Sequence, residues 1–396
     1  MAEDRQVDIA IVGAGMVGAS LACALADSGL SIALLDTQAP LLEWPQAGFD
    51  LRVSAITRAS ERLFTDIGAW PTMQAQRVSP FREMHVWDAA GEGTVHFDSA
   101  DVGETHLGHI IENRVIVAAL HTRLATRDNV AFLCPHRLVQ VRRDGRTTVL
   151  YGEDGSQLRC ALVVGADGGR SWIRRQAAIP VHGWDYDHHA LVTYVRTQRH
   201  HAETAWQRFL PTGPLAFLPL SDGWSSIVWS TSPQQADALC AMPDAQFACE
   251  LEAAFEYTLG TVEETGPRAT YPLRFFDARR YIAPGLALVG DAAHTMHPLA
   301  GQGVNLGLAD VASLVAVLND ALAKGRAIGS EAVLRRYERW RKADNLTMLA
   351  TVDSFKRVFG SDMQTVKTLR NLGLGLANRI GPLRNTLMRV AMGMEQ

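Results

Sequence analysis

The sequence predicts an α/β fold in which a parallel sheet with flanking helices is interrupted by an antiparallel sheet and followed by C-terminal helices. Three observations predict it. The apolar runs "VDIAIVGAG", "ALVVGADGG" and "GLALVGDAAH" each end in glycine, as buried parallel strands do at a ligand crevice. The stretch "WQRFLPTGPLAFLPLSDGWSSIVWS" alternates strands with turns, and the chain from Gly303 onward has a helical pattern. We place the parallel-sheet domain at 1–180 and 275–330, the inserted domain at 181–274 and the helical region at 331–396.

Composition and charge narrow the class of protein. The chain is 47% hydrophobic and 20% charged, an ordinary globular balance, and its net charge of −4 favours no nucleic-acid partner. The five cysteines lie far apart without a CxxC motif, which argues against a zinc site or disulfide framework and favours a cytoplasmic protein. We expect no signal peptide and see no stretch that approaches about 18 apolar residues. Membrane contact is therefore expected to be peripheral, at the inner face.

The first motif is "GAGMVG" at 13–18, between a predicted strand and a predicted helix. Gly13 permits the tight turn, Gly15 lets a pyrophosphate approach the backbone, and Gly18 lets the helix pack on the strand. Asp36 ends the second strand, where it can accept hydrogen bonds from a ribose. The alternative is an ordinary glycine turn. The motif does not distinguish NAD from FAD.

The second motif is "GDAAHTMHPLAGQGVNLG" at 290–307. Asp291 ends a buried strand among small residues that let a ligand approach, and the glycines open a helix whose N-terminal N–H groups carry partial positive charge. The alternative is a strand-to-helix connection with an incidental acid. For His294 we favour a hydrogen bond to the backbone of the turn over a catalytic role. His297 is equally compatible with a structural role and with that of a base.

Together these segments resemble the FAD-dependent aromatic hydroxylases of the p-hydroxybenzoate hydroxylase superfamily. The resemblance rests on the two motifs above and on "GADGGRSWIR" at 165–174. The segments "RVSAI", "GHIIEN", "FLPLSDGWSSIVW" and "RYERWRKADN" are similar to the ubiquinone-biosynthesis hydroxylases within it. The resemblance covers nearly the whole chain. It implies a Rossmann-like FAD-binding domain, an inserted antiparallel-sheet substrate domain and C-terminal helices.

The resemblance also implies a role for each matching residue. The glycines at 13, 15 and 18 would hold the FAD pyrophosphate, Asp36 the adenosine ribose, and Asp291 the ribityl or pyrophosphate region. Arg52 and Asn113 would lie along the cofactor, and Asp167 would serve both FAD and the reducing nicotinamide. The remaining cofactor-binding residues would wrap the isoalloxazine with their backbone amides: Gly301, Gln302, Gly303, Val304 and Asn305. The catalytic candidates are Pro298, through its carbonyl, and His297; we expect no metal.

The implied activity is hydroxylation of the aromatic ring of a polyprenylated ubiquinone precursor, with O2 and a flavin C4a-hydroperoxide. We favour the 3-methyl-6-methoxy-1,4-benzoquinol intermediate; the alternative is C5 hydroxylation of a polyprenylphenol. Further alternatives are a flavin halogenase, a prenyl reductase or a non-catalytic flavoprotein scaffold. The electron donor would be NAD(P)H, bound transiently, or another protein.

The composition of the C-terminal region gives a further expectation. Between residues 363 and 394 the chain has five Lys/Arg and no Asp or Glu, interleaved with leucine and methionine. Basic side chains beside an apolar face are typical of a helix at a membrane surface. We expect this region to touch the membrane or other ubiquinone-biosynthesis proteins, and the alternative is packing on the FAD-binding domain.

Overall fold

The fold is known from a computed structural model that describes residues 4–45, 47–89, 93–295 and 303–359, with side chains described up to Asn345. The α-helices of this part of the chain are α1 (Met16–Leu25), α2 (Arg58–Asp66), α3 (Trp70–Gln74), α4 (Asn113–Leu124), α5 (Trp172–Gln176), α6 (Pro233–Ala241), α7 (Asp244–Ala254), α8 (Gly303–Ala323) and α9 (Glu331–Phe359). Short 3-10 turns lie at Ser99–Val102, Ser221–Gly223 and Gly290–Ala292.

A six-stranded, mainly parallel sheet forms the core of the nucleotide-binding part. Its strand order is Ile282–Ala283, Leu286–Leu288, Leu162–Gly165, Ile9–Val12, Ile32–Leu35 and Val130–Leu133. The three glycine-ended runs are adjacent strands, because Val12 pairs with Gly165 and Gly165 with Leu288. Their carboxyl ends therefore open on one crevice, as the sequence predicts. The α/β fold class is confirmed.

A large, mainly antiparallel sheet faces this crevice. Its strands are Glu83–Asp88, Thr94–Asp98, Val181–Thr197, Thr204–Leu210, Gly213–Pro219, Trp224–Thr231, Val262–Thr265, Ala269–Ala278 and His294–Thr295. The sheet thus extends beyond the predicted 181–274 range: it takes two strands from 83–98, and a long strand crosses the 274/275 boundary. The sequence of a short alternating strand does not indicate which sheet the strand joins. A domain limit predicted from a change in sequence pattern therefore differs from the limit of the sheet.

Two smaller sheets complete the structure. A four-stranded sheet contains Asp4–Gln6, Gln157–Cys160, Thr147–Gly152 and Leu138–Asp144. A three-stranded sheet contains Val53–Thr57, Gly108–Glu112 and Val78–Phe81 and lies between the nucleotide-binding core and the large sheet. The second of these sheets matters for the site, because its first strand runs past the crevice.

Helix α8 corrects one expectation from the sequence. It has 21 residues with a mean hydropathy of 1.6 in its most apolar window, which is long and apolar enough to cross a membrane. The expectation that no stretch approaches this length and apolarity was wrong. In the structure α8 packs against α1 and α9, with one face buried in the core: Leu308, Val311, Leu314, Val317 and Leu318. Its apolar character therefore reflects core packing.

Candidate functional site

In the glycine-rich turn at the start of α1, two glycines are crowded by backbone atoms and the third borders open space. Gly13 has a φ of +108°, and a Cβ at this position would overlap the carbonyl of Ala166. A Cβ at Gly18 would overlap the carbonyl oxygen of Gly13. At Gly15, by contrast, a Cβ would meet no described atom within 4 Å. Gly15 is also the N-cap of α1, and no described side chain caps it, so the N–H groups of the first turn remain available to an anion.

Asp36 lies beside this turn, at the end of the next parallel strand. Its carboxylate accepts hydrogen bonds from the N–H groups of Ala14 (2.8 Å) and Gln38 (3.2 Å). Asp36 and Gln38 line a cavity of about 1450 Å³. Asp36 is therefore accessible from this cavity, and its binding of a ribose stays a prediction.

A second cavity, of about 490 Å³, adjoins the first at Gly15 and Ala166. Its lining includes Asp291, residues of the first turn of α8 and residues of the large sheet. The two cavities together give an extended groove with an acid at each end and an uncapped helix N-terminus between them. This donor set fits a dinucleotide, with its phosphates over Gly15 and its ring system beside α8.

Asp291 is open to the second cavity. The described residues give its carboxylate no hydrogen bond, so its oxygens are available to hydroxyl groups of a ligand. Asp291 is exposed to the cavity, yet the protein atoms around its carboxyl raise the pKa of this group by desolvation, and the positive charges of His294 and Arg52 oppose the shift. Asp291 therefore lines the second cavity, and its binding of the cofactor stays a prediction.

Asn305 joins two distant parts of the site. Its Oδ1 accepts hydrogen bonds from Ser60 Oγ (2.7 Å) and Thr57 N–H (3.1 Å), and its Nδ2 donates to the carbonyl of Ala55 (2.7 Å). These bonds hold the start of α8 against the strand Val53–Thr57 and α2. Gly303 and Val304 precede Asn305 in the same turn and line the second cavity. Backbone contact with a ring system is compatible with this arrangement.

Arg52 and Asn113 also line the second cavity. The N–H of Asn113 donates to the carbonyl of Arg52 (2.9 Å), and Asn113 Oδ1 accepts from Ser54 Oγ (2.7 Å). The Arg52 guanidinium lies 5.8 Å from the centre of the Tyr271 ring, on the large sheet. Arg52 and Asn113 therefore link the "RVSAI" and "GHIIEN" segments at the cavity wall.

Asp167 has a structural role that the sequence does not predict. Its carboxylate accepts hydrogen bonds from Ser171 Oγ and from the N–H groups of Trp172 (2.6 Å) and Ile173 (3.0 Å), at the start of α5. Asp167 thus caps α5 while lining the first cavity. The other predicted site residues, His297, Pro298, Gly301 and Gln302, lie outside the described residues.

His294 is buried and bonds to a carboxylate, whereas we expected a backbone partner. Its Nε2 lies 2.7 Å from Asp310 Oδ2, on α8. Burial lowers the pKa of His294, but the charge and hydrogen bond of Asp310 outweigh it, and the pKa is raised overall. The sequence reasoning missed Asp310. A lone acid within the apolar helix segment "LGLADVASLV" was the signal, since a buried charge needs a partner.

A group outside the groove has the spacing of metal ligands. One ligand atom each from Glu61, His106 and His109 lies within 4.8 Å of the others. Arg58 Nη1, however, lies 2.7 Å from Glu61 Oε2 and 2.6 Å from His106 Nε2. The guanidinium occupies the position that a cation would take, so this cluster is an ion-pair network.

Comparisons with known proteins agree with this geometry. A model of the FAD binding domain family matches residues 6–351. The chain is 39% identical to the 3-demethoxyubiquinol 3-hydroxylase of Escherichia coli, over 99% of this chain and 100% of that protein. It is 41% identical to the ubiquinone hydroxylase UbiL of Rhodospirillum rubrum, over 98% of this chain and 90% of that one. Among solved structures, p-nitrophenol 4-monooxygenase PnpA of Pseudomonas putida has the same fold, with a TM-score of 0.79 at 16% identity over 97% of each chain. This chain belongs to the FAD-dependent aromatic-ring monooxygenases, in the family of the ubiquinone-biosynthesis hydroxylases.

Proposed function

We propose that this enzyme hydroxylates the aromatic ring of a polyprenylated ubiquinone precursor, the 3-methyl-6-methoxy-1,4-benzoquinol intermediate. The observation that carries the proposal is the end-to-end match to a relative named 3-demethoxyubiquinol 3-hydroxylase. The name of the R. rubrum relative specifies no ring position, and its identity to this chain is as high. C5 hydroxylation of a polyprenylphenol therefore remains the second candidate.

The second cavity supports a ring substrate. Its sheet wall presents apolar side chains opposite Asp291: Ala190, Val192, Val228 and Leu273. An apolar wall accommodates an aromatic ring and excludes water from it. FAD, when bound, supplies the activation of O2 and the transfer of one oxygen atom to the ring. The chain's own part is to bind the cofactor through the groove, to orient the ring against the sheet and to keep the space between them dry.

The identity of the reductant is part of the proposal. We propose NAD(P)H as a transient donor, supported by the membership of this chain in the monooxygenase family. Anaerobic mixing of the flavoprotein with NADH or NADPH should bleach the flavin absorbance near 450 nm, faster with substrate present. Bleaching only by a second purified protein would favour a protein donor instead, and no reduction by any donor would favour a flavoprotein scaffold.

Complementation tests the ring position. The chain is expressed in E. coli lacking its 3-demethoxyubiquinol 3-hydroxylase, and quinones are measured by mass spectrometry. We expect restored ubiquinone and loss of the 3-demethoxy intermediate. A host that holds the chain as a soluble flavoprotein yet still accumulates the intermediate would overturn this ring position. A parallel host that lacks C5 hydroxylation then tests the alternative.

We also propose that the region 363–394 contacts the membrane at its inner face. The support is its composition, five Lys/Arg without acids among apolar residues, and it lies outside the described residues. The full chain should co-sediment with vesicles that contain anionic lipid and should be released by high salt. Equal recovery with neutral and anionic vesicles would contradict an electrostatic contact.

A further inference from the structure

A buried polar network lies directly behind the turn that carries Asp291. Asp310 on α8 is fully buried and accepts three hydrogen bonds. Its Oδ2 accepts from the N–H of Gly290 (2.8 Å) and pairs with His294 Nε2 (2.7 Å), while its Oδ1 accepts from Arg341 Nε (2.7 Å). Three segments thus meet at one carboxylate: the strand end, α8 and α9.

The network continues into α9 and back to the large sheet. Arg341, which is also fully buried, donates to Asn345 Oδ1 (3.0 Å), and Asn345 Nδ2 donates to the hydroxyl of Tyr281 (3.0 Å). Tyr281 in turn donates to Asp277 Oδ1. These contacts explain why the "RYERWRKADN" segment belongs to this site, although none of its residues lines the groove.

Asp310 contributes one buried negative charge, whereas an Arg341 guanidinium and a His294 imidazolium contribute two positive charges, and the Asp291 carboxyl acts on His294 from the cavity. Asp344 pairs with Arg341 from the outside, where it is half-exposed and screened by water. His294 is the member that lines the second cavity, beside Asp291 and Val304. The positive charge is therefore placed on the cavity side, within a poorly hydrated region where its effect is strong.

We propose that His294 is a positioning residue whose charge, held by Asp310, favours the reduced form of FAD in this cavity. Two-electron reduction of FAD with uptake of one proton leaves one negative charge on the ring system. A fixed positive charge next to the cavity stabilises that product more than the neutral oxidised ring. The same charge opposes the rise in the pKa of the Asp291 carboxyl that desolvation causes, and so favours the form that accepts hydrogen bonds from cofactor hydroxyls. The proposal rests on FAD binding and not on the ring position of the substrate.

The test is the reduction potential of the bound flavin, measured by dye equilibration with dithionite as the electron source. His294→Gln should lower the potential, and we expect at least a tenfold shift of the reduction equilibrium, about 30 mV for a two-electron couple. Asp310→Asn removes one negative charge together with the proton that it holds on His294, so the net charge is unchanged and the potential should fall by less than in His294→Gln. The matched control is Tyr337→Phe, which removes a buried hydrogen bond from α9 to the carbonyl of Leu288 (2.7 Å) without changing a charge at the cavity.

An unchanged potential in His294→Gln, or an equal shift in Tyr337→Phe, would overturn the proposal. A second measurement needs no variant. In 15N-histidine-labelled wild-type protein, one imidazole should have both ring nitrogens protonated at pH 7.5, where an ordinary histidine is mostly neutral. A spectrum without such an imidazolium would equally overturn it. Either negative result leaves the proposed hydroxylation standing, because that is decided by complementation.

Discussion

At the scale of single residues, each of the three glycines of the "GAGMVG" turn is glycine for a different physical reason. Gly13 and Gly18 are required by the protein itself, because a Cβ at either would overlap neighbouring backbone. Gly15 has an ordinary extended conformation, with φ of −73°, and open space beside it. The sequence motif already separates the turn and packing glycines from the one that a ligand would approach, and the Cβ contacts distinguish the same three positions.

This difference gives the first prediction. Gly15→Ala should leave the thermal stability of the apoprotein unchanged but weaken FAD binding at least tenfold, because the methyl group enters the space over the turn. Gly18→Ala should lower the stability of the apoprotein as well, by roughly 1–3 kcal/mol for an overpacked contact. Differential scanning fluorimetry and flavin fluorescence titration measure the two effects. Equal loss of apoprotein stability in both variants would contradict the assignment.

The cysteines give the second prediction, at the same scale. Cys23 and Cys160 are buried, and burial raises the pKa of each thiol to about 12. Cys249 is exposed. Because the thiolate is the reactive form, DTNB at pH 8 should label Cys249 rapidly and the two buried thiols only after unfolding. Cys249→Ser should remove the fast phase; fast labelling of Cys23 or Cys160 in the native protein would refute this picture.

At the scale of elements, Asn305 is the joint between α8 and the strand Val53–Thr57. Asn305→Asp replaces the Nδ2 donor by an oxygen that faces the carbonyl of Ala55, so both groups lose their hydrogen bond inside the protein. We expect a loss of about 1–3 kcal/mol in stability and weaker FAD binding. The matched control is Asn319→Asp, an exposed position of the same helix, which should change neither quantity. A similar effect at both positions would show that helix charge, and not the joint, is responsible.

A second element-scale prediction concerns the turn that leads into the strand Thr204–Leu210. His201 is buried, its Nε2 lies 3.0 Å from the carbonyl oxygen of Leu220, and its Nδ1 accepts from the N–H of Glu203 (3.1 Å). Both bonds together require the neutral ring. Burial, together with the charge of His200, lowers the pKa of His201 from 6.5 to about 4.

The sign of the pH effect follows from that direction. A histidine with a lowered pKa in the folded state stabilises the fold above pH 6.5, and this contribution is lost as the pH falls toward 4. We expect wild-type protein to lose up to about 3 kcal/mol between pH 7 and 4 from this residue. In His201→Gln that part of the loss should disappear, whereas exposed His182→Gln should behave as wild type. Urea unfolding at several pH values measures it, and identical pH profiles for all three proteins would exclude the effect.

At the scale of the whole molecule, the sequence predicts the fold class, the order of the cofactor segments and the crevice at which they meet. Those features depend on strong local patterns: apolar β-branched runs, glycine ends and acids at strand termini. The large sheet extends beyond the predicted limits of the inserted domain, and the Asp310 contacts were not predicted, since a strand's partner and a buried acid's partner are set by packing across the chain. Asp310 and Arg341 are 31 positions apart, and Asn305 and Ala55 are 250 apart. Such pairs leave no periodic trace in the sequence.

The distance between Asn305 and Ala55 along the chain has a consequence for synthesis. A ribosome releases the glycine turn and the strand Val53–Thr57 long before it reaches α8 and α9, so the cofactor groove lacks one wall until most of the polypeptide has emerged. We expect nascent chains that stop short of α8 to retain no flavin and to expose the apolar face of α1 against which α8 packs. FAD therefore binds late in the synthesis of this polypeptide. When flavin is scarce, we expect the amount of newly synthesised folded enzyme to fall before the activity of enzyme that already holds FAD.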